Sequence, residues 1–219
     1  MQNHKNLTII GTSHIARESI LLVRNKINEL KPDVVALELD QLRFETLFYN
    51  KKRKTRLSDI HYIGIKGFLF NLIGAYIEKK LGEVVNVTPG SDMKAAIITA
   101  KSNKADIALI DQDIRITLKA LSRAFTLREK LRFLAEIIRN IFKREKISID
   151  LTKVPDKNLI KKLTDKFKKD YPSIYKVLID DRNKVMAKNL YKIMSTNKSI
   201  IAIVGAGHED EIMELIKKM

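Results

Sequence analysis

The chain contains no cysteine and no tryptophan, and only 4 prolines and 8 glycines. Without cysteine, disulfides and thiolate chemistry are excluded, and any metal must be held by His, Asp, Glu or water. No uncharged apolar run is long enough to span a bilayer. The first six residues lack the apolar stretch of a secretory signal. These absences lead us to expect a soluble, cytoplasmic protein. Internal repeats and low-complexity tracts are also missing.

What is present is a basic chain of 219 residues, 45% hydrophobic, with a formal net charge of +16. That size is enough for one substantial core, so a single domain over 1–219 is expected. Abundant lysine and isoleucine without Cys or Trp suits a thermophile. The positive charge invites nucleic acid or an anionic membrane. It gathers at 51–56, 139–146 and 161–169, in connectors and on helix faces. No aromatic-interleaved strand of the RNA-reading type accompanies it, so no specific nucleic-acid partner is expected.

Two apolar runs near opposite ends break into Gly-x-x-His: Gly11-Thr12-Ser13-His14 and Gly205-Ala206-Gly207-His208. Four runs, at 7–10, 34–39, 107–110 and 200–204, read as strands covered on both faces, because they lack polar alternation. Helical patterns separate them: 16–30, stopped by Pro32; 42–48; 92–101, with Ser91 as cap; 180–194; and 208–216. Thr126 and Glu129 have capping-box spacing for a helix to about 142. Asp156 suits the cap of another, ending before Tyr171-Pro172. The apolar segment 60–81 is either a buried helix pair or a membrane-brushing hairpin, and its surface could seal a homodimer. The fold class expected is α/β, a mainly parallel central sheet flanked by helices, with a helical insertion over 114–175.

Each strand ends in polar residues: Ser13 and His14; Glu38 and Asp40; Asp111 and Asp113; Gly207, His208 and Glu209. Ligands bind at the carboxyl ends of parallel strands, where loops converge on a rigid sheet. Two imidazoles and up to four carboxylates along one rim are ligands for Zn, Mn or Co. Such a site favours metal-assisted hydrolysis. His14 and His208 would be metal ligands, and Glu38 ligand or general base. Arg182, early in the 180–194 helix, could stabilise charge developing on a carbonyl oxygen. Bland alternatives stand beside these. Glu38 in an apolar strand needs a partner, which is a metal, Arg182 or Arg43. Asp111 and Asp113 equally suit helix capping. Asp92 equally suits a helix's first turn. His4 and His61 read as surface residues.

The ordered set of stretches around Gly11–Ser19, Lys31–Arg43, Pro89–Ala96, Leu109–Ile114, Asp181–Ala187 and Val204–His208 resembles the TraB/PrgY family. More distantly it resembles the Tiki, GumN and erythromycin-esterase group. The resemblance implies an active site of His14, His208, Glu38 and Arg182, with Ser13, Arg43 and Asn183 facing substrate. Tiki relatives are metal-dependent proteases thought to use Mn or Co. TraB and PrgY are associated with shutting down peptide pheromones. The function implied is a metallopeptidase acting on a peptide or protein, with Mn or Co before Zn. The alternative is a peptide-binding module that sequesters without cutting. Where the family usually shows Glu, this chain has Asp92, one methylene shorter. Many relatives continue into a membrane region, for which the basic surface would suit an anionic leaflet.

Overall fold

The computed structural model describes residues 1–13, 16–49, 90–124, 126, 128, 129, 132 and 157–219. They build a five-stranded sheet in the order β1-β2-β5-β3-β4, from Gln2–His4, Leu7–Thr12, Val34–Leu37, Asp106–Leu109 and Ile200–Gly205. All neighbours are parallel except β1, which runs antiparallel to β2. The α/β class and the mainly parallel sheet are those expected from the apolar runs.

The helices are α1 (Arg17–Leu30), α2 (Gln41–Phe48), α3 (Ser91–Ser102), α4 (Ile114–Ala124), α5 (Lys157–Asp170), α6 (Pro172–Tyr175), α7 (Asp181–Met194) and α8 (Glu209–Lys217). A π-helical turn over Lys176–Asp180 joins α6 to α7. One sheet face carries Val23 and Ile27 of α1 with Met93 and Ile97 of α3, packed on Ile10, Val35, Leu37 and Ile203. The other carries Met186 and Leu190 of α7 with Ile212 and Ile216 of α8, packed on Ile9, Ala36 and Ala202. Strand residues therefore alternate between two dry layers, which is why the strands read as unbroken apolar runs. Each large aliphatic side chain so buried contributes about 1.5–3 kcal/mol.

This layering positions the site. The helices before β3 and β4 lie on one face; α7, before β5, lies on the other. Strand β5 returns between β2 and β3, so the loops leaving β2, β3 and β5 part to opposite faces and open a crevice at their carboxyl ends. At the other end of the sheet, Ser199 N–H and Oγ both donate to Asp33 Oδ2 at 2.7 Å, tying the starts of β3 and β5 together.

Several local expectations are corrected. Strand β1 has only Gln, Asn and His, so no apolar pattern announces it, and His4 lies half-buried in it. Strand β2 does not turn at Gly11; it continues through Thr12, paired with Gly205. Strand β3 ends at Leu37, and Glu38 sits in a tight turn closed by Leu39 N–H to Leu37 O at 2.7 Å. Gly90, at φ +80°, holds the N-cap position of α3 expected of Ser91. Helix α1 buries Ser19, Val23 and Ile27 and leaves Leu30 exposed.

The capping box at Thr126 and Glu129 is present: Glu129 Oε2 accepts from Thr126 N–H at 3.0 Å, and Thr126 Oγ1 accepts from Glu129 N–H at 3.3 Å. Within 114–175, the described helices α4 and α5 each adjoin α6, and α4 and α6 adjoin the π turn. The segment 60–81, the helix expected to run on to 142, the cap at 156, His61 and the basic runs 51–56 and 139–146 lie outside the described residues.

Candidate functional site

A cleft of about 450 Å³ opens at the carboxyl ends of β2, β3 and β5. Ser13, Glu38, Arg43, Arg182 and His208 all contribute to its wall, with Ile160 of α5 supplying an apolar side. Among the expected site residues, His14 lies outside the described residues, as does its distance to His208.

Glu38 stands at the centre. The turn after β3 sends its side chain across the end of β5, where Oε2 accepts the Gly205 N–H at 2.6 Å. Oε1 accepts from Arg182 Nη2 at 2.5 Å. Arg182 reaches in from α7 on the opposite face and forks onto Asp111, Nε to Oδ1 at 3.1 Å and Nη2 to Oδ2 at 2.6 Å. A further bond, Nη1 to Leu178 O at 3.2 Å, fixes the guanidinium plane. Burial alone would lower the Arg182 pKa, but Glu38 and Asp111 outweigh it and raise the pKa well above the ordinary arginine value. Arg182 is therefore permanently charged between the two carboxylates. Arg43 Nη1 stands farther out, 3.6 Å from Asp111 Oδ2, with a third of its side chain exposed.

His208 follows β5 and occupies the N-cap position of α8, its side chain buried. Its Nε2 lies 3.5 Å from Glu38 Oε1 and its Nδ1 2.6 Å from Asn183 Oδ1. Asn183, expected to face substrate, is wholly buried behind the imidazole. The neighbours Arg182 and Asn183 thus diverge, one to Glu38 and Asp111, the other to His208.

The rim is simpler than four converging carboxylates. Asp40 accepts from Arg43 N–H at 2.8 Å and Ile114 N–H at 2.9 Å, so it serves the N-termini of α2 and α4. Asp113 accepts from Arg115 N–H at 2.8 Å and pairs with that residue's guanidinium. Glu209 pairs with the N-terminal amine at 2.8 Å. Glu38 and Asp111 are the two that meet at Arg182. Asp92, buried in the first turn of α3, accepts from Thr12 Oγ1 at 2.7 Å and so ties α3 to the end of β2. Among the described residues, no three His, Asp, Glu or Cys side chains group to hold a metal. Glu38 and His208 supply one oxygen and one nitrogen donor.

Thr12, Ile160, Tyr175 and Glu211 also bear on the site. No sequence signal separates them from core or helix-end residues. Glu211 in particular reads as ordinary acidic charge in the first turn of a helix.

A family model for TraB/PrgY/gumN proteins matches residues 2–219. A protein of Methanocaldococcus jannaschii, described as uncharacterized, is 36% identical over 225 residues, covering 99% of this chain and 55% of its own length. TraB domain-containing proteins of Bos taurus and Homo sapiens are each 22% identical over 187 residues, covering 80% of this chain and 49% of theirs. The chain spans about half the length of the curated relatives it matches. Among the described residues no helix is long and apolar enough to cross a membrane.

Proposed function

We propose, from the premise that the chain belongs to the TraB/PrgY/gumN family, that it is a metal-dependent hydrolase acting on peptide bonds. One observation carries the reading: His208 Nε2 and Glu38 Oε1 stand 3.5 Å apart at the wall of the cleft, while His208 Nδ1 is taken by Asn183. An imidazole whose outer nitrogen is held by an oxygen acceptor has the arrangement common to metal-ligating histidines. A neutral imidazole with a carboxylate is a donor pair suited to Mn, Co or Zn. The pair fits such an ion, with His14 as the further ligand implied by its matching Gly-x-x-His. A divalent ion so held would bring the pKa of a bound water near neutrality.

The chain's own residues divide the remaining work. Glu38, paired with Arg182 at the wall of the cleft, is the carboxylate placed to accept a proton from the attacking water. Arg182 presents a fixed positive charge on which negative charge at a carbonyl oxygen can develop, already oriented by Asp111 and Leu178. Ser13 and Arg43 line the wall where a peptide would lie. Asn183 acts behind the imidazole.

The test is cleavage of a peptide library read by mass spectrometry, with Mn, Co or Zn and after chelation, alongside metal content. We expect products that depend on metal and fall by about 100-fold or more in His208→Ala and Glu38→Gln. His14→Ala should lose bound metal as His208→Ala does. Products undiminished by chelation and by His208→Ala would reject the metal reading. Retained peptide without products under every metal would make the cleft a sequestering one.

A further inference from the structure

Behind His208 the bond to Asn183, the one link that the hydrolytic reading uses, continues into a chain of short hydrogen bonds. His208 Nδ1 is 2.6 Å from Asn183 Oδ1, Asn183 Nδ2 donates to Glu211 Oε2 at 2.6 Å, and Tyr175 OH donates to Glu211 Oε1 at 2.6 Å. It crosses three elements, α8, α7 and α6, and both Asn183 and Tyr175 are buried.

Donors and acceptors along it sort in one way. An ionised Glu211 only accepts, so Asn183 must turn its NH2 toward Glu211 and its carbonyl toward the ring. That carbonyl only accepts, so the imidazole hydrogen must sit on Nδ1. The lone pair of a neutral ring then lies on Nε2, toward Glu38. Tyr175 meets the second oxygen of Glu211. Burial first, then Glu211 itself, raises the phenol's pKa, so Tyr175 stays a donor.

The backbone is shaped for this. Tyr175 and Asn183 are eight residues apart, one more than the seven that return to the same face of an uninterrupted α-helix. The wide π turn at Lys176–Asp180 takes up the extra residue, and both side chains reach the same carboxylate. Such turns are rare and recur next to functional sites.

We propose that Glu211 and Tyr175 are positioning residues for His208: acting through Asn183, they hold the imidazole in the Nδ1–H form with the Nε2 lone pair on the Glu38 side. The proposal rests on His208 being a site residue, but the tautomer exists with or without metal and substrate. A failed cleavage assay therefore leaves it standing, and a failed tautomer leaves the hydrolase reading to its own test.

The experiment is long-range 1H–15N correlation on the full chain labelled with 15N-histidine, chelator-treated, at about pH 9, well above the ordinary imidazole pKa. The His208 signals are those lost in His208→Gln. We expect wild-type Nδ1 in the protonated range and Nε2 in the bare range, the reverse of what an imidazole prefers in water. Glu211→Ala and Asn183→Leu should move both nitrogens toward the Nε2–H form. Glu211→Gln should restore the wild-type pattern, since glutamine keeps an oxygen for Asn183 Nδ2. Tyr175→Phe, which deletes one hydroxyl, should raise the Nε2–H fraction. A wild-type His208 in the Nε2–H form overturns the proposal, whatever the variants do. So does an unchanged pattern in both Glu211→Ala and Tyr175→Phe. Should Glu211→Ala fail to fold by circular dichroism, the wild-type and Tyr175→Phe spectra decide.

Discussion

Arg182 grips Asp111 with two parallel hydrogen bonds, 3.1 and 2.6 Å long, across 71 residues of sequence. The same guanidinium holds Glu38. Three charges, from α7 and from the segments that follow β3 and β4, thus share one nearly dry point. The two carboxylate side chains are only 3% and 2% exposed and that of Arg182 14%. Removing the cation leaves both anions buried without it, and breaking a buried pair in this way costs about 3–5 kcal/mol. Arg182→Ala should lose that much unfolding free energy in a urea titration. Arg182→Lys should lose less, because an ammonium keeps the charge, yet still fall short of wild type, because it cannot reproduce the fork. An unshifted urea midpoint in Arg182→Ala would show that the three groups are not jointly buried.

Thr12 and Asp92 make a quieter tie between the end of β2 and the start of α3. Thr12 Oγ1 donates to Asp92 Oδ2 at 2.7 Å, and both side chains are buried. Valine has nearly threonine's shape, so Thr12→Val removes only the hydroxyl, with its short bond to Asp92 and its longer one, 3.2 Å, to Val204 O. A bond to a buried carboxylate is worth about 1.5–3 kcal/mol. We expect a stability loss in that range by thermal or urea unfolding, with the fold retained. A variant as stable as wild type would mean that Asp92 draws its support from elsewhere.

Glu129 offers a prediction with a definite pH sign. Burial pushes its pKa up, but hydrogen bonds from Thr126 and Ser173 outweigh this and hold it below the usual carboxylate value. A pKa lower in the folded than in the unfolded state means that the folded state binds the proton less readily. The stabilisation is therefore complete above the unfolded value of about 4.3 and is lost as pH falls through the folded one. Glu129→Gln removes the ionised cap and should cost about 0.5–2 kcal/mol at neutral pH. The gap between wild type and variant should close on acidification below about pH 4. A gap constant from pH 7 down to acid would remove the carboxylate from the account.

The sheet is legible in the sequence because its strands are buried twice over, and short apolar runs such as Ile200 to Val204 are what strands covered on both faces require. Strand β1 is hidden for the converse reason: its edge position leaves Gln2, Asn3 and His4 partly in water, with no apolar face to signal. In the site, Glu38 and Arg182 stand out as charges within apolar periodic segments, and they do meet. Asp40, Asp111 and Asp113 look alike in sequence, since a carboxylate after a strand can cap a helix or pair with a cation; only the third dimension assigns Asp111 to Arg182 and gives the others the helix-start amides. Asn183 and Glu211 escape for a related reason. Their partners lie 25 and 28 residues away, across a helix pair whose phase depends on a π turn that no residue pattern marks.

Gly11, which opens the first Gly-x-x-His, and Gly207, which stands one residue before the histidine of the second, answer to different constraints. A Cβ on Gly11 would stand 2.5 Å from Glu209 Oε2 and 3.1 Å from Ala206 Cα. The carboxylate end can swing aside, at the expense of its contact with the N-terminal amine, but the Ala206 backbone is held by its N–H to Thr12 O at 2.8 Å. Gly11 is thus small because the loop after β5 and the first residue of α8 close over β2, not because the chain turns there. Around Gly207 a Cβ meets nothing within 4 Å. Gly11→Ala should therefore destabilise by about 1–3 kcal/mol, the usual cost of overpacking. Gly207→Ala should stay within about 0.5 kcal/mol of wild type. Paired urea titrations decide the matter: equal losses in the two variants would mean that both glycines serve the backbone alike, and the close approach over β2 would not be what fixes the first motif.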